Sequence, residues 1–89
     1  MPKAEVPIIN KLGLHARASA KLARLANDFD SEVWLEREGR RVSAKSIMGL
    51  MMLAASQGTT LTIETLGKDA DSAMESIIHL IANRFDEEE

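Results

Sequence analysis

In the segment Val33-Trp34-Leu35-Glu36-Arg37-Glu38-Gly39-Arg40-Arg41-Val42, apolar side chains at Val33, Leu35 and Val42 mark the inward positions of a two-stranded hairpin, and Glu38-Gly39 supplies its turn. Outward from the hairpin the hydrophobic period changes. Toward the N-terminus, Ala18, Leu22, Leu25, Ala26 and Phe29 form the apolar stripe of a helix that starts at Ala16. Arg17, Lys21, Arg24 and Asp28 run beside it as a charged stripe, and residues 27–31 are too polar to continue the helix. The loop Asn10-Lys11-Leu12-Gly13 precedes it. Before that, Val6-Pro7-Ile8-Ile9 reads as a short strand, at a sheet edge because Pro7 has no amide hydrogen to donate.

Toward the C-terminus, Ser46 opens a second helix, and Gly58 is the expected C-terminal cap. Leu61 and Ile63 alternate with Thr60, Thr62 and Glu64 in a half-buried strand. Gly67-Lys68 is a turn and Asp69 an N-cap for a last helix with the stripe Met74, Ile77, Ile78, Ile81 and Phe85. The order β-α-β-β-α-β-α in a small chain predicts an α+β fold. A four-stranded antiparallel sheet is covered on one face by three amphipathic helices, a two-layer open-faced β-sandwich. The 89 residues are read as one domain, 1–89, ending in the acidic tail 86–89.

Composition removes several classes of function. With 45% hydrophobic and 28% charged residues the chain is globular, not disordered. The absence of cysteine excludes a disulfide scaffold, a zinc-thiolate site, an iron–sulfur cluster and a cysteine nucleophile. The longest uncharged run, residues 46–63, spans 18 residues but is broken by Ser56, Gln57, Gly58, Thr59 and Thr60, which is too polar for a bilayer. Residues 1–7 carry no secretory apolar stretch and no lipidation signal, so a cytoplasmic setting is expected. Four of the fourteen acids sit at Asp86, Glu87, Glu88 and Glu89, and the acidity is assigned to a solvated tail. The remaining body is weakly basic around Lys11, Arg17, Lys21 and Arg24. That patch lacks stacking aromatics, so nucleic acid is not a partner; an anionic protein surface or a single phosphate suits it better.

Three features carry chemistry. His15 falls at about the N-cap of the first helix, a position that Ser, Thr, Asp and Asn prefer, and the free amides of that first turn form an anion site. Arg17 can set a guanidinium fork against a phosphoryl group on the ring, and because a phosphohistidine bond is labile enough to be passed onward, the site would act as a transient carrier. Ser46 is a helix cap and a candidate phosphosite. The nine apolar residues from Ile47 to Ala55 cannot all face inward. Leu50, Leu53 and Ala54 form the plausible buried face, leaving Ile47, Met48 and Met51 as an exposed docking patch. His79 is explained by a solvated pair with Glu75, and the two histidines, without organised carboxylates, make no metal site. Ser19 lies four residues from His15, but it points along the helix and no acid is placed to orient the histidine, which disfavours a serine hydrolase. A histidine phosphatase is disfavoured because no acid is placed to protonate a leaving group.

Gly13-Leu14-His15-Ala16-Arg17, followed by Ser46, an apolar helix and Gln57-Gly58, resembles the histidine-containing phosphocarrier (HPr) family of the bacterial phosphoenolpyruvate-dependent phosphotransferase system. The resemblance covers essentially the whole chain. It implies that His15 accepts a phosphoryl group on Nδ1 from Enzyme I and donates it to an Enzyme IIA domain, with Arg17 stabilising the group and no cofactor taking part. It implies that Ser46 is phosphorylated by an ATP-dependent HPr kinase/phosphorylase, which weakens transfer through His15. Ile47, Met48 and Met51 fall where the family docks its partners, with Lys21 and Arg24 as basic contacts, and the implied sheet order is 1-4-2-3. The chain departs from the family pattern at Ala18, where proline is usual. Residues 10–17 and the Phe85-Asp86-Glu87 ending also resemble the nitrogen-related regulatory phosphocarrier, whereas Ser46 favours the kinase-regulated branch. A pure interaction module, acting through Ser46 and the second helix, is the rival from another class.

Overall fold

The Glu38-Gly39 turn holds both residues at positive φ, 49° and 81°. That geometry matches the twist of the strands it joins and pairs Arg37 with Arg40. The computed structural model describes residues 2–88, so Glu89 of the tail lies outside the described residues. The chain runs β1 (Lys3–Pro7), α1 (Ala16–Asn27), β2 (Glu32–Arg37), β3 (Arg40–Ser43), α2 (Ile47–Leu53), β4 (Thr60–Leu66) and α3 (Ala70–Ala82), then a single 3-10 turn at Arg84–Asp86. The four strands form one sheet in the order β1-β4-β2-β3, every pairing antiparallel. The predicted fold class and strand order both hold.

Inward residues of the sheet, Val33, Leu35, Leu61 and Ile63, are buried against Leu22 and Ala26 of α1, Leu50 and Leu53 of α2, and Ile77 and Ile81 of α3. Each such Val, Leu or Ile side chain contributes about 1.5–3 kcal/mol on burial, so this single layer of contacts holds the helices to the sheet. On the opposite, uncovered face Arg41 stacks 4.6 Å above the Trp34 ring and pairs with Glu64 at 3.2 Å. Among the described residues no helix is long and apolar enough to cross a membrane.

Four details differ from the sequence reading. The first strand occupies Lys3–Pro7 and not residues 6–9, because Lys3 and Glu5 face solvent on the uncovered face. Ile8 is nevertheless buried, its backbone bonded to Thr59 and Gly58 at 2.8 Å. Gly58 does not cap α2. That role falls to Ala54, in the left-handed region at φ 54° and ψ 39°. Arg37 donates to the carbonyls of Leu53 (3.1 Å) and Ala54 (3.0 Å), and Arg40 to that of Met52 (2.8 Å). The helix therefore ends where cations satisfy its free carbonyls, as helix C-termini favour. Ala54 is exposed and Ala55 is buried in its place. Finally, Phe85 reaches the core after α3 has ended at Ala82, and not as part of its stripe.

Asp69 stands at the N-cap of α3, but its side chain makes no capping bond there. The carboxylate accepts instead from the Ser31 hydroxyl and from the backbone amides of Ser31 (2.9 Å) and Asp30 (3.0 Å), tying the α1–β2 loop to the start of α3. The Ser31 hydroxyl, supported by those amides, holds the Asp69 carboxyl below its usual value against an opposing push from desolvation. A carboxyl depressed in the folded state contributes stability above its unfolded pKa of about 3.9, and that contribution disappears as pH falls through the lower folded value. Asp69→Asn is expected to lower the urea midpoint at about pH 7 and to show a smaller further loss on acidification to about pH 2 than wild type. An equal acid-induced loss in both proteins would show that Asp69 does not supply this part of the pH dependence.

Candidate functional site

The site is assembled where the β1–α1 loop meets the segment that leaves α2. Gly13 adopts φ +64°, and a Cβ there would lie 2.5 Å from the Ala55 carbonyl oxygen and 2.8 Å from Ser56 Cα, so only glycine fits. The next residue, Leu14, donates its amide to that same Ala55 carbonyl at 2.8 Å. From below, fully buried Asn10 donates through Nδ2 to the Gly13 carbonyl at 2.9 Å. These contacts deliver His15 to the N-cap of α1 with φ −77° and ψ −179°, its carbonyl accepting from the Ser19 amide at 2.8 Å. Its ring makes no capping bond, so the amides of the first turn remain open toward the cleft.

One ring nitrogen is engaged. Nε2 of His15 meets the Glu87 carboxylate, and the other Glu87 oxygen accepts from Asn10 Nδ2 at 2.9 Å. Nδ1 makes no hydrogen bond among the described residues. Within the run expected to be a solvated tail, Glu87 is therefore docked, its side chain keeping only 16% of its exposure. Lys21 holds the approach, donating to the Phe85 carbonyl at 3.0 Å with Asp86 3.8 Å away. Burial pushes the Glu87 carboxyl up. The hydrogen bonds from His15 and Asn10 and the nearby charge of Lys21 outweigh it and hold the group below the ordinary carboxylate range. The expectation that no acid orients His15 is thus corrected. A serine nucleophile is still not formed, because Ser19 is buried and its Oγ donates to the Leu14 carbonyl at 3.2 Å.

Arg17 is exposed on the same cleft as His15 and has no hydrogen bond or ion pair among the described residues. Lys21 lines that cleft too, committed to the C-terminal segment, whereas Arg24 is one turn further along α1, beside Leu25, Asp28 and Leu80. Ala18 is fully buried in the first turn of α1. Ser46 is the N-cap of α2, its Oγ accepting from the Gly49 amide at 3.0 Å while the side chain stays exposed. Ile47 and Met51 are each 44% exposed, Met48 69% and Met52 64%, so the apolar patch is real and one methionine larger than the sequence suggested. His79 pairs with Asn83 at 3.0 Å and not with Glu75. Among the described residues no group of three or more His, Cys, Asp or Glu side chains is arranged to hold a metal ion.

Asn10 and Glu87 are the site residues that sequence reasoning missed. The available signal was Phe85, since acids that directly follow a core anchor cannot drift away from the body. The turn itself left no trace, because Arg84, Phe85 and Asp86 all take positive φ without a glycine or asparagine among them. Such residues cost about 1–2 kcal/mol each in that conformation and persist only where the surroundings over-determine them. Gly13→Ala is expected to destabilise the fold by about 2 kcal/mol or more, read as a lower urea midpoint, since the added carbon meets the backbone of Ala55 and Ser56. An unchanged midpoint would mean that the loop adapts and does not fix His15.

The family model for the PTS HPr component phosphorylation site matches residues 2–83. The phosphocarrier protein HPr of Cupriavidus necator is 60% identical over 89 residues, covering 100% of both chains. The phosphocarrier protein NPr of Shewanella violacea is 47% identical over 83 residues, 93% of this chain and 91% of that one. The crystal structure of HPr-C-His from Thermoanaerobacter tengcongensis superposes with a TM-score of 0.96 at 39% identity over 100% of each chain. A histidine placed at a helix start on this sheet, within a sequence matched from end to end, leads to one conclusion: the chain belongs to the HPr family of phosphotransferase-system phosphocarriers.

Proposed function

We propose that this phosphocarrier takes a phosphoryl group onto Nδ1 of His15 from Enzyme I and passes it to an Enzyme IIA domain, as a stoichiometric participant and not a catalyst. The observation that carries the reading is the state of the His15 ring. Nε2 is engaged by Glu87, while Nδ1 is left without a partner among the described residues, at the start of α1. A lone pair on Nδ1 attacks phosphorus, the bond from phosphorus to the donor nitrogen breaks, and its electron pair returns to the donor ring. The incoming oxygens then find the open amides of α1 and the guanidinium of Arg17, two sources of charge-assisted hydrogen bonds.

Docking is assigned to Ile47, Met48 and Met51 with Lys21 and Arg24 as flanking cations, and methionines suit a surface that receives more than one partner. Ser46 stands at the edge of that patch. Phosphorylation by an HPr kinase/phosphorylase would add nearly two negative charges there and change partner affinity without unfolding α2. The reading takes residues 1–89 as one HPr-like domain in a cytoplasmic setting. A nitrogen-branch regulatory role is the second reading, favoured by the similarity to NPr.

After incubation with phosphoenolpyruvate and Enzyme I, intact mass is expected to show one acid-labile phosphoryl group on wild type and none on His15→Ala. Labelling of His15→Ala would move the site elsewhere. Arg17→Ala is expected to slow acceptance by on the order of 10- to 100-fold without abolishing it, as loss of one charge-stabilising donor does. Unchanged kinetics would remove Arg17 from the mechanism.

A further inference from the structure

We propose that Glu87 is a positioning residue for phosphoryl transfer: by accepting a hydrogen bond from Nε2–H it holds the His15 ring in the tautomer that leaves the Nδ1 lone pair free. The inference deepens the carrier reading and rests on it. Glu87 itself lies beyond the 2–83 segment matched by the family model.

Three independent constraints bring the carboxylate to the ring. Phe85 is fully buried in the core and fixes the chain two residues earlier. Arg84, Phe85 and Asp86 all stand at φ between 53° and 64°, a left-handed turn closed by bonds from Asp86 N–H to Asn83 O (3.0 Å) and Glu87 N–H to Arg84 O (2.9 Å). An observed cluster of strained residues beside a reactive group licenses a functional inference. Third, Asn10, with no exposure, spends one Nδ2 hydrogen on the loop that carries His15 and the other on Glu87. The carboxylate is thus referenced to the same loop as the ring.

A neutral imidazole has one N–H and one lone pair, and a hydrogen bond at one nitrogen decides which is which. A carboxylate at Nε2 accepts and cannot donate, so it selects the proton on Nε2. When Nδ1 takes the phosphoryl group, Nε2 keeps its proton, both nitrogens are substituted and the ring becomes formally cationic. The contact with Glu87 then turns from a hydrogen bond into a charge pair, which favours the phosphorylated state more than the free one. The carboxylate engages Nε2 and makes no hydrogen bond to Nδ1.

The test compares wild type with Glu87→Ala, Glu87→Gln and Glu88→Ala, the last losing the same charge next door. Nitrogen-15 spectra of the neutral His15 ring should show the Nε2–H tautomer dominant in wild type and a mixed population in Glu87→Ala. Acceptance from phosphorylated Enzyme I should lose about tenfold in kcat with KM little changed, the scale seen when an orienting partner of a histidine is removed. Glu87→Gln keeps a single acceptor oxygen for the two donors His15 Nε2–H and Asn10 Nδ2–H and should fall between wild type and Glu87→Ala in both signals, and Glu88→Ala should match wild type. An unchanged tautomer population in Glu87→Ala, or acceptance as fast as or faster than wild type, overturns the proposal, the faster rate marking the segment as an obstruction. If wild type itself is not labelled by active Enzyme I, the carrier reading fails, while the tautomer comparison still decides whether Glu87 positions the ring.

Discussion

The backbone bond from Leu14 N–H to the Ala55 carbonyl is the constraint on which the functional surface depends. It joins two loops that belong to different halves of the chain, and it does not act alone. Ile8 bonds to both Gly58 and Thr59, and Gln57 donates to the Ile9 carbonyl at 3.1 Å. Together these bonds stitch the loop between β1 and α1, which carries His15, to the segment that follows α2. The His15 ring and the apolar helix are consequently referenced to one frame. Only a glycine at position 13 lets the two backbones approach this closely.

The parts of the fold that repeat with a period were legible in the sequence, and the parts set by single tertiary contacts were not. The α1 stripe and the alternation in β2 and β4 announce themselves because burial on one face leaves a regular mark. The end of α2 left none. A glycine at position 58 is the usual sign of a helix stop, but two arginines from the β2–β3 hairpin satisfy the final carbonyls four residues sooner. Tertiary hydrogen bonds of this kind override local propensity and have no local signature.

The site divided in the same way. His15, Arg17 and Ser46 were recognisable because each stands at or near a helix start, where residue preference is strong enough for a departure to be noticed. Glu87 was read as part of a solvated run, since charge composition cannot distinguish a free acid from one that is held. What holds it is the burial of Phe85, the reach of Lys21 and a buried asparagine, none of which can be inferred before the chain is folded. Net charge describes a chain in solution; it does not describe which of its charges have already been claimed.

Helix α2 is fastened at both ends. Ser46 caps its first turn, and Arg37 and Arg40, at the turn end of the β2–β3 hairpin, grip its last carbonyls. A seven-residue helix is too short to persist by its own hydrogen bonds, so these clamps and the buried Leu50 and Leu53 keep it in shape. The helix thus behaves as a stiff beam with a soft upholstery of thioethers. On the proposed reading, a partner meets a backbone clamped at both ends and side chains that can change rotamer, so fitting differently shaped partners falls to Met48, Met51 and Met52 and not to the path of the helix.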